Sequence, residues 1–141
     1  MTKLSRESRW RRSGIAKALA AALLAVAAPA AAADRGDAAR GRQLYEDRCA
    51  VCHSIDAHRA GPRHRGVFGR RAGAAAGYDY SPALRGSGLI WNAPTLDRWL
   101  ANPTALVPGT RMGTRVAEAR DRRDIIAFLR SPAAAGPDRG E

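Results

Sequence analysis

The spacing of hydrophobic positions predicts a helix over residues 35–52 of this chain. Four residues recur at intervals of four and three and therefore share one face of that helix: Gly41, Tyr45, Cys49 and Cys52. Asp37 can cap its start, because a carboxylate there accepts hydrogen bonds from the unpaired first-turn amides. Glycine costs a helix about 1 kcal/mol relative to alanine, so Gly41 leads us to expect another helix crossing closely at that point.

Two further helices are predicted in the second half of the chain. Residues 91–103 can be capped by Asn92 and are closed by a proline. Residues 121–130 carry an apolar face, and Asp121 and Asp124 have a spacing like that of a capping box. No segment alternates convincingly in the manner of a β-strand, so the sequence predicts a small all-α domain.

The segments between and after these helices are predicted to be irregular. Residues 54–90 are rich in glycine and arginine, and residues 105–113 form an extended loop with a Pro-Gly turn. A long irregular stretch inside a compact domain is usually functional, and an internal cofactor that the loop wraps around would account for it. We expect the folded domain to span residues 34–131 and residues 132–141 to be a disordered tail.

The N-terminal residues have the pattern of an export signal. Residues 9–17 are basic and residues 18–33 are apolar, alanine-rich and end in small residues, so we predict a signal peptide over residues 1–33 that is cleaved after Ala33. An uncleaved membrane anchor is the alternative, but the apolar stretch is shorter than the roughly 20 residues that cross a bilayer. The predicted location is the periplasm.

The net charge of the chain indicates which kind of partner it could bind. The whole chain has a formal net charge of +11, and removing residues 1–33 leaves 18 basic and 12 acidic side chains, a net charge of +6. Both lysines lie in the removed segment, so every remaining cation is an arginine. Because these arginines are scattered and aromatic residues are few, nucleic-acid binding is disfavoured, and steering toward an acidic surface is favoured instead.

Two cysteines and a histidine form the motif CAVCH at residues 49–53. A disulfide would close a very short loop and stabilise little, and a dithiol enzyme needs the pair at a helix start after a strand. A zinc site normally needs four ligands, and His53, His58 and His64 lack the usual spacing for it. C-x-x-C-H is instead the attachment signature of c-type haem, and the export signal agrees, since such attachment in bacteria occurs outside the cytoplasm.

The second axial position of such an iron has several candidates. They are Met112, His58, His64 or no residue at all. A lone methionine is often core filler, but Met112 follows a Pro-Gly turn far along the chain from His53, which favours a ligand approaching from the opposite side. Histidine and methionine together give a low-spin iron with a raised potential, and a filled site favours electron transfer over catalysis.

Residues 36–129 resemble the class I cytochromes c, close to the mitochondrial type and its bacterial relatives. The resemblance rests on GDAARGRQLYEDRCAVCH, GPRHRGVFGRRAG, GYDYS, the tryptophan at 91, LANP, VPGTRM and DIIAFL. It implies a cytochrome c fold of three to four helices wrapped around one covalently attached haem c. It also implies an electron carrier that passes one electron between redox partners and is not an enzyme.

The resemblance also implies a set of site residues. Two bind haem covalently and two ligate its iron: Cys49 and Cys52, and His53 and Met112. The Pro62 carbonyl accepts the His53 Nδ1 proton, and four residues contact the haem propionates: Arg70, Tyr80, Trp91 and Thr110. From the residues alone, Tyr80 and Trp91 could equally be core aromatics and Arg70 a surface charge. The resemblance further implies that Gly41 and Tyr45 meet Phe128 where the first and last helices cross.

Partners follow from the same resemblance. It implies docking through cations around an exposed haem edge onto redox proteins with acidic surfaces, such as a quinol-oxidising complex, a terminal oxidase or a dehydrogenase. Without lysine, the available cations are Arg48, Arg63, Arg65, Arg98, Arg111 and Arg115. We expect a monomer that binds no nucleic acid and that is not stably inserted in a membrane after cleavage.

Several positions depart from the family pattern. His64 stands where an apolar residue usually faces the haem, Trp99 replaces a tyrosine and Leu84 replaces an asparagine near the methionine, and Thr114 stands where an aromatic is usual. His64 and Trp99 favour the rival hypothesis, a haem-dependent peroxidase-like enzyme or a gas sensor with a labile Met112 ligand.

Overall fold

The computed structural model describes residues 35–136, and this part of the chain contains three long and three short helices. In chain order they are α1 Ala38–Arg48, α2 Pro82–Arg85, α3 Ala93–Ala101, α4 Pro103–Leu106, α5 Ala119–Arg130 and α6 Pro132–Ala135. Within these residues no strand forms, and one isolated antiparallel bridge joins Arg71 and Ile90. The all-α class predicted from the sequence is confirmed.

The first helix begins as expected and ends earlier than expected. The Asp37 carboxylate accepts hydrogen bonds from the amides of Ala39 and Arg40, so the predicted cap is confirmed. The helix ends at Arg48, and residues 49–52 continue as turns in which the His53 amide donates to the Cys49 carbonyl at 2.9 Å. The turn lets His53 lie beside the cysteines instead of continuing the helix.

Helices α1 and α5 cross in close contact at Gly41. A Cβ atom at Gly41 would lie 1.8 Å from the carbonyl oxygen of Asp124, far inside van der Waals contact. One turn further on, the rings of Tyr45 and Phe128 pack with their centroids 5.2 Å apart. The close crossing expected from the glycine is confirmed, and α1 is thereby held against the domain core.

The two aspartates of α5 do not form the predicted capping box. Glu118 is the N-cap of this helix and makes no side-chain cap hydrogen bond. Asp121 and Asp124 are buried and both pair with Arg40 of α1, and Asp124 also accepts the Asp37 amide at 2.7 Å. The prediction is wrong because a cation on the crossing helix draws both carboxylates away from the first-turn amides of their own helix.

The remaining core is formed by α3, by α5 and by the loops between them. Asn92 caps α3, as predicted, and the buried side chains of Leu96, Trp99 and Leu100 face inward from this helix. The irregular segment over residues 54–90 contributes Val67, Tyr80 and other buried residues to the same core. It contains only one short helix, in agreement with the absence of a long periodic element.

The end of the domain needs one correction. Residues 132–136 are not a disordered tail: Pro132–Ala135 form α6, Ala134 is fully buried, and its carbonyl accepts the Gly66 amide at 2.9 Å. Small residues here pack against a loop that is distant in sequence, which composition alone does not indicate. The predicted signal peptide over residues 1–33 and the rest of the tail, residues 137–141, lie outside the described residues.

Across residues 35–136, no helix is both long enough and apolar enough to span a membrane.

The Asp124 carboxyl at the helix crossing is expected to make the fold sensitive to acid. Burial alone would raise its pKa, but hydrogen bonds from the Asp37 amide and the Arg40 guanidinium outweigh burial and hold the pKa below its ordinary value. A depressed folded-state pKa means that the ionised group stabilises the fold above its unfolded-state pKa, near 3.8, and that this contribution is lost as pH falls through the folded-state pKa. We therefore expect Asp124→Asn to lower the free energy of unfolding at neutral pH and to lose less further stability on acidification than the parent does.

Urea unfolding from neutral pH down to about pH 3 would measure both effects. Glu46→Gln is the matched control, because Glu46 pairs with Arg42 on the exposed surface of α1, where such pairs contribute little. Parallel acid dependence in the parent and in Asp124→Asn would contradict the prediction.

Candidate functional site

A cavity of about 530 Å³ lies inside the domain and is lined mainly by apolar side chains. Its volume is within the range of about 300–1,000 Å³ that is usual for small-molecule and cofactor sites. All nine residues that the sequence singled out line this cavity: Cys49, Cys52, His53, Pro62, Arg70, Tyr80, Trp91, Thr110 and Met112. Residues spread over half of the chain are thus brought together around one space.

The two cysteines reach the cavity from the turn that follows α1. Both are free thiols; Cys49 is half-buried and Cys52 is exposed. Burial raises the pKa of the Cys49 thiol to about 11. Dithiol enzymes of the C-x-x-C type instead depress the pKa of their reactive cysteine, so this environment disfavours a redox dithiol.

His53 is held in one tautomer. Its Nδ1 lies 2.8 Å from the Pro62 carbonyl oxygen, which can only accept, so Nδ1 carries the proton. Burial lowers the pKa of His53 below its ordinary value and keeps the ring neutral. The other ring nitrogen, Nε2, therefore has its lone pair available, which is the form in which histidine ligates a metal.

Gly61 was not predicted as a site residue, yet the His53 ring lies directly against it. A Cβ at this position would lie 2.2 Å from His53 Cε1 and 2.6 Å from Nδ1. The imidazole therefore fits only because residue 61 has no side chain. The glycine next to Pro62 was the available signal in the sequence, but only the fold brings it against His53.

His64 also lines the cavity and lies against His53. The two imidazole rings stack with centroids 4.0 Å apart and planes 21° from parallel, and Tyr45 meets His64 edge-on at 5.6 Å. Burial, the neighbouring His53 and Arg70 lower the pKa of His64 well below its ordinary value. His64 is therefore a neutral ring on the His53 side of the cavity.

His58 does not belong to the site. Its Nε2 lies 2.8 Å from the Ala76 carbonyl oxygen, and its Nδ1 accepts the Arg63 amide at 3.0 Å. Both ring nitrogens are therefore engaged with the backbone, and His58 is not among the residues around the cavity. His58 was one of the alternatives to Met112 as the second ligand, but both of its ring nitrogens are already hydrogen-bonded to the backbone.

Cationic and aromatic side chains form one end of the cavity wall. The Arg70 guanidinium donates to the carbonyls of Arg65 at 2.8 Å and Arg63 at 3.2 Å, and burial lowers the pKa of Arg70. The Nε atoms of Arg63 and Arg70 are buried and have no hydrogen-bond partner within residues 35–136. Trp91 and Tyr80 are buried beside this pair. Buried guanidinium donors that lack a protein acceptor suit a carboxylate group, which fits the propionates of a haem.

Met112 lies in the loop that follows α4. Its side chain is half-buried, and its amide lies 3.4 Å from Thr110 Oγ1. Gly109 has a φ of +88°, a left-handed conformation that glycine adopts without strain, so the Pro-Gly turn directs the loop back over the cavity. Arg111, the residue before Met112, donates to the Asp79 carbonyl at 2.8 Å and ties the loop to the opposite segment.

A zinc site was among the alternatives for the cysteine pair. In the described part of the chain, no three His, Cys, Asp or Glu side chains are grouped as a metal site would require.

Comparison with known proteins gives consistent matches over the segment that contains all nine residues. The family model for cytochrome c matches residues 38–132. The cytochrome c of Cochliobolus lunatus is 41% identical over 100 residues, which cover 68% of this chain and 93% of that protein. The cytochrome c2 of Rhodomicrobium vannielii is 41% identical over 98 residues, covering 67% of this chain and 78% of that protein. Among solved structures, cytochrome cH from Methylobacterium extorquens aligns with a TM-score of 0.64 and 42% identity, covering 67% of this chain and 97% of that one.

The contact between Gly61 and His53 leads to a prediction about stability. We expect Gly61→Ala to lower the free energy of unfolding by about 1–3 kcal/mol, the usual cost of overpacking, because the new methyl group must displace the His53 ring. Gly113→Ala is the matched control: a Cβ at Gly113 meets nothing within 4 Å, and its φ is not left-handed. Denaturant unfolding of both variants would measure the difference, and equal stabilities would contradict the described contact.

Proposed function

This chain belongs to the cytochrome c family, whose members carry electrons on covalently attached haem, and from that premise we propose an exported carrier with one haem c. Cys49 and Cys52 would hold the haem through thioether bonds, and His53 and Met112 would be its axial ligands. The haem iron supplies one-electron chemistry by alternating between its ferrous and ferric states. The chain's own residues bind and orient the group, exclude water and present one edge to partners.

The observation that carries this proposal is the shared cavity. Both thiols, the unengaged Nε2 side of a neutral His53 ring and the Met112 thioether line one mainly apolar space. The Pro62 carbonyl keeps the proton on Nδ1 and so orients His53 as a ligand. Thioether sulfur is a soft ligand, and the combination with imidazole raises the reduction potential.

The cationic end of the cavity supports the proposed orientation of the haem. Arg70, Tyr80, Trp91 and Thr110 would contact the propionates, and the unpartnered Nε of Arg70 is the strongest single support for this. A carboxylate facing that group would form a charge-assisted hydrogen bond. The Nε of Arg63 is also buried and unpartnered among residues 35–136, but Arg63 is not among the residues that line the cavity.

Docking would involve the exposed arginines near the mouth of the cavity. Arg48, Arg111 and Arg115 line the cavity and are exposed, and Val51, which also lines the cavity, has 79% of its surface accessible. Exposed cations together with an exposed apolar side chain suit a transient complex with an acidic redox protein. Three of the cations expected at this surface also pair within the chain: Arg48 with Asp121, Arg111 with Asp79 and Arg65 with Asp56.

Export is the remaining part of the proposal. We propose that residues 1–33 are a signal peptide removed after Ala33 and that the mature protein acts as a monomer in the periplasm. The N-terminal residue and mass of the protein recovered from a periplasmic fraction would test this directly. Retention of residues 1–33 would contradict cleavage and favour a membrane anchor.

A second candidate function is favoured by one feature of the Met112 loop. Thr114 is exposed where the family resemblance leads us to expect an aromatic residue. A less covered methionine could be displaced by peroxide or a gas, as in a peroxidase-like enzyme or a sensor. The methionine-to-iron charge-transfer band of the ferric protein at neutral pH separates the two functions, because a labile ligand would weaken it.

Replacement of Met112 gives the direct test of ligation. We expect Met112→Ala to abolish the charge-transfer band and to lower the reduction potential, since axial ligands set haem potentials over a range of about 0.8 V. His58→Gln is the control, because both nitrogens of His58 are bonded to backbone groups and its loss should leave the band in place. A band that survives in Met112→Ala would refute methionine ligation.

The absence of lysine after residue 33 leads to a further prediction about high pH. Arginine stays protonated, so no amine is available to replace Met112, and any alkaline form should bind hydroxide or a histidine. We expect Arg111→Lys, which puts an amine beside Met112, to introduce an amine-ligated ferric spectrum at high pH. An amine-ligated spectrum in the parent protein would contradict the prediction.

A further inference from the structure

The imidazole of His64 has no part in the ligation proposed above, yet it is in direct contact with a proposed ligand. The His64 and His53 rings are 4.0 Å apart between centroids and 21° from parallel, which is a stacked pair. The Nδ1 atom of His64 is buried and has no hydrogen-bond partner among residues 35–136. A buried polar atom without a protein partner calls for an explanation.

An apolar side chain at position 64 would fill the same space without burying an unpaired polar atom. Burying an unpaired nitrogen destabilises a fold, and the family resemblance leads us to expect an apolar residue here. What an imidazole offers, and an aliphatic side chain does not, is a flat aromatic face that can lie along another ring. The stacked contact with the His53 ring uses this flat face.

Three residues contact the His53 ring in different ways. The Pro62 carbonyl oxygen accepts the hydrogen bond from Nδ1. Gly61 lies against Cε1. The stacked His64 supplies a flat surface along the ring itself.

His64 is in turn supported from the helix crossing. Tyr45 of α1 meets His64 edge-on at 5.6 Å, and Tyr45 packs against Phe128 of α5 with centroids 5.2 Å apart. A row of four rings therefore connects the α1–α5 crossing to His53. The stack is therefore supported by side chains of two crossing helices and not by a loop alone.

We propose that His64 is a positioning residue that holds the plane of the His53 imidazole in one orientation in both oxidation states. The proposal rests on ligation by His53, as proposed above, and adds a specific role for a residue that departs from the family pattern. Groups that pack against or hydrogen-bond a metal ligand set its orientation, and a ligand that does not rotate on oxidation adds no rearrangement to electron transfer.

The test uses the full-length haem-containing protein and two variants that remove the aromatic face, His64→Leu and His64→Gln. His64→Phe restores a flat ring without a polar atom, and Val67→Ala removes nearby buried packing while keeping the stack. Two readouts report on the His53 ring: the pattern of haem-methyl proton shifts in the ferric protein, which follows the orientation of the ligand plane, and the exchange rate of the His53 Nδ1 proton in the ferrous protein.

We expect His64→Leu and His64→Gln to change the order or spread of the methyl shifts and to speed Nδ1 proton exchange about 2- to 12-fold, the factor that corresponds to an aromatic pair. His64→Phe and Val67→Ala should keep the parental shift pattern. The use of two loss variants keeps the test valid if one of them does not fold.

Three results would overturn the proposal: parental shifts and exchange in the loss variants, no rescue by His64→Phe, or the same change in Val67→Ala. The parent's own ferric spectrum tests ligation separately. If that spectrum lacked histidine and methionine ligands, the proposed function would fail, while the exchange of the Nδ1 proton would still report on the stack.

Discussion

The close approach of α1 and α5 at Gly41 is the constraint on which the rest of the structure depends. No side chain fits there, because a Cβ would lie 1.8 Å from the Asp124 carbonyl oxygen. Arg40 pairs with acidic groups across the same crossing and holds the two helices in register. Since α1 cannot shift along α5, the turn after its last residue brings Cys49 and His53 to the cavity in a defined place.

A cavity lies within the hydrophobic core of the domain. Its walls come from α1, α3 and α5, from the long irregular segment between α1 and α3, and from the loop over residues 110–116. Three residues of these walls have a buried polar atom without a partner among residues 35–136: Oη of Tyr45, Nδ1 of His64 and Nε of Arg70. Such a wall is costly unless a bound group completes it. Membership of a family with covalently attached haem explains both the unpaired polar atoms of the wall and the length of the irregular segment, because binding to the folded state stabilises it.

Local patterns in the sequence were reliable where the interaction is local. The caps at Asp37 and Asn92 were predicted from neighbouring residues alone. The crossing at Gly41 is not local, and the glycine by itself indicated only that some helix would approach closely there. The capping box of α5 failed because Asp121 and Asp124 face a cation from another helix. The short helix α6 was missed for the same reason, since its stability comes from packing against a distant loop.

By itself, the sequence determined the haem-attachment motif, the helical class and nine of the residues that line the cavity, since motif spacing and family resemblance are contained in the order of residues. Only the tertiary structure decided how His53 is surrounded: Gly61 against its Cε1, and His64 stacked on its ring. It also decided which acidic groups pair across the helix crossing, where Asp37 and Asp124 are 87 residues apart. Contacts of this kind depend on how separate segments approach one another in space, and no local pattern specifies that.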